Sequence, residues 1–405
     1  MYFNKKLTLA LGIITVFLIG TFFVPTGPVS ADPIPQPKIA FVFSTGGLGD
    51  LSFNDAGFVG LQKANTTYNL GVTEADYAEP TDVPEISDLV ESFATSTKNY
   101  DLILTIGFSS ADAVTASALA HPDQKFVIID MVINLTNVAS VVFNEQEGSF
   151  LAGVMAAMTT TSNKVAFLGG EEISLIKKFE AGFQQGVYAI NDKIEIFAQY
   201  APDQTNPWND IGGGKSVAID FIDKGADVIY AAAGETGVGM FNAVNETNTE
   251  AGIAGTDTKA NEPDKIYGIG VDSDQDWTNP GYILTSMIKR VDVAVFDQIK
   301  AIVDGTWQGT GTDYSNILTL DLESGGVGIS DMTYTGFEKD VDYNGSTRWE
   351  IVQSYSSAII AGSIPVNIEP IEYYTTTAPG FDGFLVFLGL AIISLIPIIR
   401  RKFKN

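Results

Sequence analysis

Twice along the chain, short runs rich in β-branched and aromatic residues alternate with stretches of helical periodicity, and this repeated alternation narrows the fold most. The first series places strands at 38–43, 71–78, 101–106 and 125–130, with helices near 53–66, 85–97 and 110–119. The second places strands at 164–168, 195–200, 226–231 and 265–270, with helices near 175–190, 213–224 and 237–248. Strands separated by helices assemble into parallel sheets covered on both faces. The expected class is therefore α/β, with two doubly wound parallel-sheet lobes joined by a hinge. A length of 405 residues also exceeds what one core commonly supports.

Between the series, 141–143 reads as a strand and 147–158 as a helix. Its small residues, Gly148, Ala152, Gly153, Ala156 and Ala157, permit close packing, and the chain is expected to pass here from one lobe to the other. A helix over 283–305, a strand at 317–322 and a helix over 349–360 find no place in a simple second sheet and are read as returning the chain across the hinge. The stretch 250–264 is polar and reads as a surface insertion.

The termini suggest a membrane. Lys5 and Lys6 precede an apolar run from Leu7 to Val24, and Val29-Ser30-Ala31 follows. That order is a secretory signal, with a retained anchor as the alternative because the run approaches spanning length. Residues 381–399 would form a helix about 28 Å long, enough to cross a bilayer, with basic residues 400–405 left in the cytoplasm. The expected division is a signal peptide at 1–31, lobe 1 at 32–143 with return segments from about 283–360, lobe 2 at 144–282, a stalk at 361–380, a transmembrane helix at 381–399 and a basic tail. The protein would be single-pass in the cell membrane, body outside, and monomeric.

Charge and composition exclude several functions. The net charge is −26, and Lys5, Lys6, Arg400, Arg401, Lys402 and Lys404 sit in the terminal segments, so the body between is strongly acidic. Such a field repels nucleic acid and anionic nucleotides, although solubility in a salty medium explains it equally. The chain has no cysteine and one histidine. Disulfides, thiolate metal sites and a lipidated N-terminal cysteine are closed to it, and the common nucleophile triads nearly so. His121 reads as a helix cap. No cofactor and no metal are expected.

In doubly wound sheets ligands bind beyond the carboxyl ends of the strands. Those positions hold Gly46-Gly47-Leu48-Gly49-Asp50, Gly107-Phe108-Ser109-Ser110, Asp130, Gly169-Gly170, Gly234-Glu235-Thr236-Gly237 and Asp272. The glycine-rich opening segment lacks the Gly-Lys-Ser/Thr of a phosphate loop and carries an aspartate where phosphate needs positive charge. Phe53 with Gly57-Phe58 and Phe179 with Gly182-Phe183 offer one ring per lobe to clamp a flat ligand, core packing being the alternative for each. Asp50, Asp130 and Asp272 with Lys289 suit the vicinal hydroxyls of a sugar or nucleoside; alternatively they cap helices or form ion pairs.

Six ordered segments resemble the basic membrane protein family of ABC-importer substrate-binding proteins. They begin with Gly46-Gly47-x-x-Asp50-x-Ser52-Phe53-Asn54 and continue through Phe126–Asp130, Glu147–Gly153, Phe179-x-x-Gly182-Phe183-x-x-Gly186, Gly225–Tyr230 and Gly268-x-Gly270-Val271-Asp272-x-Asp274-Gln275, with Leu284–Lys289 close behind. The resemblance implies the type I periplasmic-binding-protein fold, a purine nucleoside ligand and ABC permease subunits as partners. It implies that Asp50 and Asn54 read the base, that Phe53 and Phe179 sandwich it, and that Asp272, Lys289 and the Gly234–Gly237 loop hold the ribose, with Asp130 beside them. Three departures stand out: Ser44 replaces an aspartate before the Gly-Gly pair, Glu235 replaces a glycine, and a C-terminal helix replaces the lipidated cysteine. A sensor for another small polar ligand and a nucleoside-cleaving enzyme are the competing readings.

Overall fold

The computed structural model describes residues 36–255, 262 and 264–371. The expected signal, transmembrane helix and basic tail, with stalk residues 372–380 and part of the insertion, lie outside the described residues. Among the described residues no helix is long and apolar enough to cross a membrane.

The first sheet contains β1 (Ile39–Val42), β2 (Tyr77–Ala78), β3 (Leu102–Ile106), β4 (Phe126–Ile129) and β5 (Val138–Phe143). Helices α1 (Phe53–Tyr68), α2 (Val83–Ala94) and α3 (Ala111–Ala120) connect its first four strands. The chain then enters α4 (Glu145–Thr159) and builds a second sheet from β6 (Lys164–Gly169), β7 (Glu195–Tyr200), β8 (Val228–Ala232), β9 (Tyr267–Asp272) and β10 (Ile283–Lys289), with α5 (Ser174–Ile190), α6 (Ile211–Asp223) and α7 (Glu235–Glu250) between them. Next come α8 (Val291–Val303), β11 (Leu318–Leu320), β12 (Val327–Ile329) and α9 (Arg348–Ile360).

Strand order is β11-β5-β4-β3-β1-β2 in the first sheet and β12-β10-β9-β8-β6-β7 in the second. The same winding occurs twice. Within these two sheets every pairing is parallel except that of β12 with β10. Helices cover both faces, so the inner strands are buried at every position: β1, β3, β4, β8 and β9 show no exposed residue.

Two expectations fail. Residues 283–305 are not one helix: Ile283–Lys289 forms β10, a strand of the second sheet, and only Val291–Val303 is helical. The second half therefore extends past residue 282. A strand buried on both faces is a continuous apolar run, which periodicity alone does not separate from a helix. The expected strand 71–78 shrinks to Tyr77–Ala78, because Asp76 accepts from Thr73 N at 2.8 Å and folds Glu74–Asp76 into a 3-10 turn.

Small residues decide how α4 meets α5. A Cβ on Gly182 would fall 2.1 Å from Gln146 O, and one on Gly186 would fall 2.0 Å from Phe150 O. Both obstacles are backbone, so neither can rotate away. Gly186→Ala should lower the unfolding free energy by about 1–3 kcal/mol, the usual cost of overpacking, read from urea denaturation. An unchanged midpoint would show that the two helices part without penalty.

Candidate functional site

Strand order reverses beside β1 in the first sheet and beside β6 in the second, and such reversals open a crevice at the carboxyl ends of the strands. The loops leaving β1, β3, β6 and β8 converge on one cavity of about 650 Å3, its mouth included. Asp50, Phe53, Asn54, Asp130, Phe179, Gly234, Asp272 and Lys289 line it. Gly237 does not. It lies buried in the first turn of α7, where an added Cβ would meet Ala231 at 3.4 Å, so it serves packing.

The β1–α1 loop is held by its own side chains. Asp50 Oδ1 accepts from Ser52 N at 2.9 Å and Asp55 N at 3.2 Å, while Oδ2 accepts from Asn54 N at 2.8 Å and Asn54 Nδ2 at 3.0 Å. Burial still raises the Asp50 pKa above its ordinary value, despite those bonds. Asn54 Oδ1 accepts from Ser44 N at 2.9 Å and Ser44 Oγ at 3.1 Å. Ser44, which stands where the resemblance would place an aspartate, thus closes this network. Asp50 and Asn54 frame the wall, and Asn54 keeps one amide proton beyond these bonds.

Asp130 and Asp272 occupy matching places, just after β4 and at the end of β9, and both adopt left-handed backbone, with φ of 74° and 63°. That conformation costs a non-glycine residue about 1–2 kcal/mol, and such strain gathers at functional sites. Lys289 Nζ donates to Asp130 Oδ2 at 2.6 Å and lies 3.1 Å from Glu145 Oε1. The rings of Phe53, Phe143 and Phe179 surround the same ammonium, their centroids 5.0–5.6 Å away. Burial alone would depress the Lys289 pKa, but Asp130, Glu145 and Asp272 hold it well above its ordinary value, so the lysine is charged. Asp130 Oδ1 is buried and has no hydrogen-bond partner among the described residues.

Asp272 accepts from Ser52 Oγ at 2.6 Å, a bond that joins the second half to the first. Burial pushes its carboxyl up to about 7, against the pull of Lys289 and Ser52. Gln275 Nε2 donates to Leu51 O at 3.0 Å across the same seam. In the same lining the Phe108 and Trp208 rings meet with centroids 6.3 Å apart.

Sequence reasoning missed Trp208, Leu175 and Ile176, all of which line the cavity, and gave no role to Phe108. Trp208 carried a signal: it follows β7 and precedes Asp210, whose side chain caps α6 by accepting from Gly213 N. It therefore sits at the same strand-end edge as the residues singled out. Its ring also explains Gly170, where a Cβ would come within 2.4 Å of it. Phe179 is only 2% exposed, whereas Phe53 and Trp208, from opposite halves, are partly exposed.

The family described as ABC transporter substrate-binding protein PnrA-like matches residues 37–367. An uncharacterized lipoprotein of Pyrococcus abyssi is 34% identical over 81% of this chain and 78% of its own length. The ABC transporter nucleoside-binding protein of Lactococcus lactis is 33% identical over 72% of this chain and 81% of its own. Among solved structures, an ABC transporter solute-binding protein from Aeropyrum pernix superposes with a TM-score of 0.67 at 26% identity, covering 90% of this chain and 98% of its own.

The raised carboxyl of Asp272 ties stability to pH. The folded state keeps a proton that the unfolded chain releases near pH 4, so the residue's contribution is complete in acid and lost as pH rises from about 4 to about 7. Asp272→Asn should therefore gain stability relative to wild type as pH rises from about 4 to about 7, in paired denaturation curves. A constant difference across that window would mean Asp272 is ionised throughout.

Proposed function

Because the chain belongs to the PnrA-like family of ABC transporter substrate-binding proteins, we propose that its cavity receives one purine nucleoside and delivers it to the permease of an importer. One observation carries this reading: a single cavity combines aromatic faces from opposite halves, Phe53 and Trp208, with the buried carboxylates Asp130 and Asp272. A planar base suits the rings, and ribose hydroxyls are donors that a carboxylate accepts. Asp130 Oδ1, which has no hydrogen-bond partner among the described residues, is a ready acceptor for one of them. Lys289 neutralises the floor and Asp50 with Asn54 fixes the wall. Phe179 backs the cavity more than it faces it.

The relative from Lactococcus lactis, named as nucleoside-binding, supports this ligand class. The binding body stands outside the cell as a monomer, its halves divided at the β5–α4 crossing. With no cysteine to carry a lipid, the apolar stretch 381–399 and its basic end supply the anchor.

Calorimetry of the purified protein against guanosine, inosine, adenosine and uridine tests the proposal. Purine nucleosides should release binding heat, and silence at millimolar concentrations of all four would overturn it. Asp272→Ala should weaken binding by about 1.5–3 kcal/mol, the range for hydrogen bonds to a charged group. Trp208→Ala should cost about 1–3 kcal/mol, as for loss of one base-stacking ring. Unchanged affinity in either variant would remove that residue from the site.

A further inference from the structure

We infer that Glu235 makes the cavity a charge filter, which admits an uncharged nucleoside and turns away the same nucleoside bearing a phosphate. The inference rests on the nucleoside reading above and adds the residue that sets the limit on ligand charge.

Among the carboxylates of the lining, Glu235 differs in having no internal partner. Asp50 is occupied by donors of its own loop, Asp130 by Lys289 and Asp272 by Ser52. No hydrogen bond or ion pair among the described residues reaches the Glu235 carboxylate, and the residue is half-buried in the cavity lining, next to Gly234. Lys289 is the cation of the lining, and it is already closed in by Asp130, Glu145 and three rings. A phosphate entering here would find no counter-charge to receive it.

The backbone at this point would otherwise welcome one. Gly234, at φ 54°, turns the chain into α7, a helix of 16 residues whose N-terminal amides and dipole favour an anion. Glu235 is the first residue of that helix and sets its own negative charge on the spot. The carboxylate stabilises the helix end and repels any second anion from it. A hydroxyl or a neutral base suffers no such repulsion.

The full-length protein, with Glu235→Gln and Glu235→Asp variants, should be titrated with guanosine and with guanosine 5′-monophosphate. In wild type the monophosphate should bind about 100-fold more weakly than guanosine or worse, as expected for like charges brought together in a partly desolvated site. Neutralising the carboxylate in Glu235→Gln should raise the ratio of monophosphate to guanosine affinity by about tenfold or more, and Glu235→Asp should keep it near the wild-type value. An unchanged ratio in Glu235→Gln, including a parallel loss of both ligands, would overturn the filter, as would equal binding of the two by wild type. If no nucleoside binds wild type at all, the underlying reading falls with it, an outcome distinct from a nucleoside that binds without discrimination.

Discussion

The ammonium of Lys289 is 2% exposed and stands where the two halves meet. A charge so placed is tolerated only when opposite charges enclose it, because removing an ion from water costs several kcal/mol even after relaxation. Asp130 supplies one such charge from the end of β4, and Glu145 supplies another from the start of α4, the helix into which the chain crosses. Lys178 in turn contacts Glu145 at 3.0 Å. The end of β4, the end of β10 and the first turn of α4 are thereby fixed relative to each other. The floor of the cavity is an electrostatic joint before it is a binding surface.

That joint explains why the matching aspartates differ in character. Burial raises both carboxyls, but Asp130 bonds the lysine directly, whereas Asp272 bonds a serine hydroxyl and feels only the more distant pull of the same lysine. Two residues in the same left-handed backbone, at equivalent places in a repeated fold, thus give the cavity two carboxyls that burial raises, one bonded to the lysine and one to a serine hydroxyl. Repetition of the winding supplies the positions, and the single cation breaks their equivalence.

Much of this was legible in the amino-acid order. Glycine and aspartate at strand ends marked the crevice because backbone that turns sharply toward a ligand needs those residue types, and the doubled alternation revealed both sheets. The strand Ile283–Lys289 escaped because burial on both faces erases the period that tells strand from helix. Asp50 was assigned to the ligand, yet its four hydrogen bonds are satisfied by its own loop, a fact that only geometry reveals. Gly237 shared a strand-end motif with Gly234 but turns to Ala231, since a helix sends neighbouring residues in different directions. Trp208 went unnoticed because its loop, 201–210, holds no glycine pair.

The chain passes between the halves at three points: from β5 into α4, from β10 into α8, whose partner is α1, and through the short turn from β11 to β12. In each sheet the strands beside these passages occupy the same edge, away from β2 and β7. The body is bound like a book along that spine. Any swing of one cover against the other leaves the lysine and its acids, beside the spine, nearly still, while the Phe108 and Trp208 rings, joined by no covalent strap, are free to separate like facing pages.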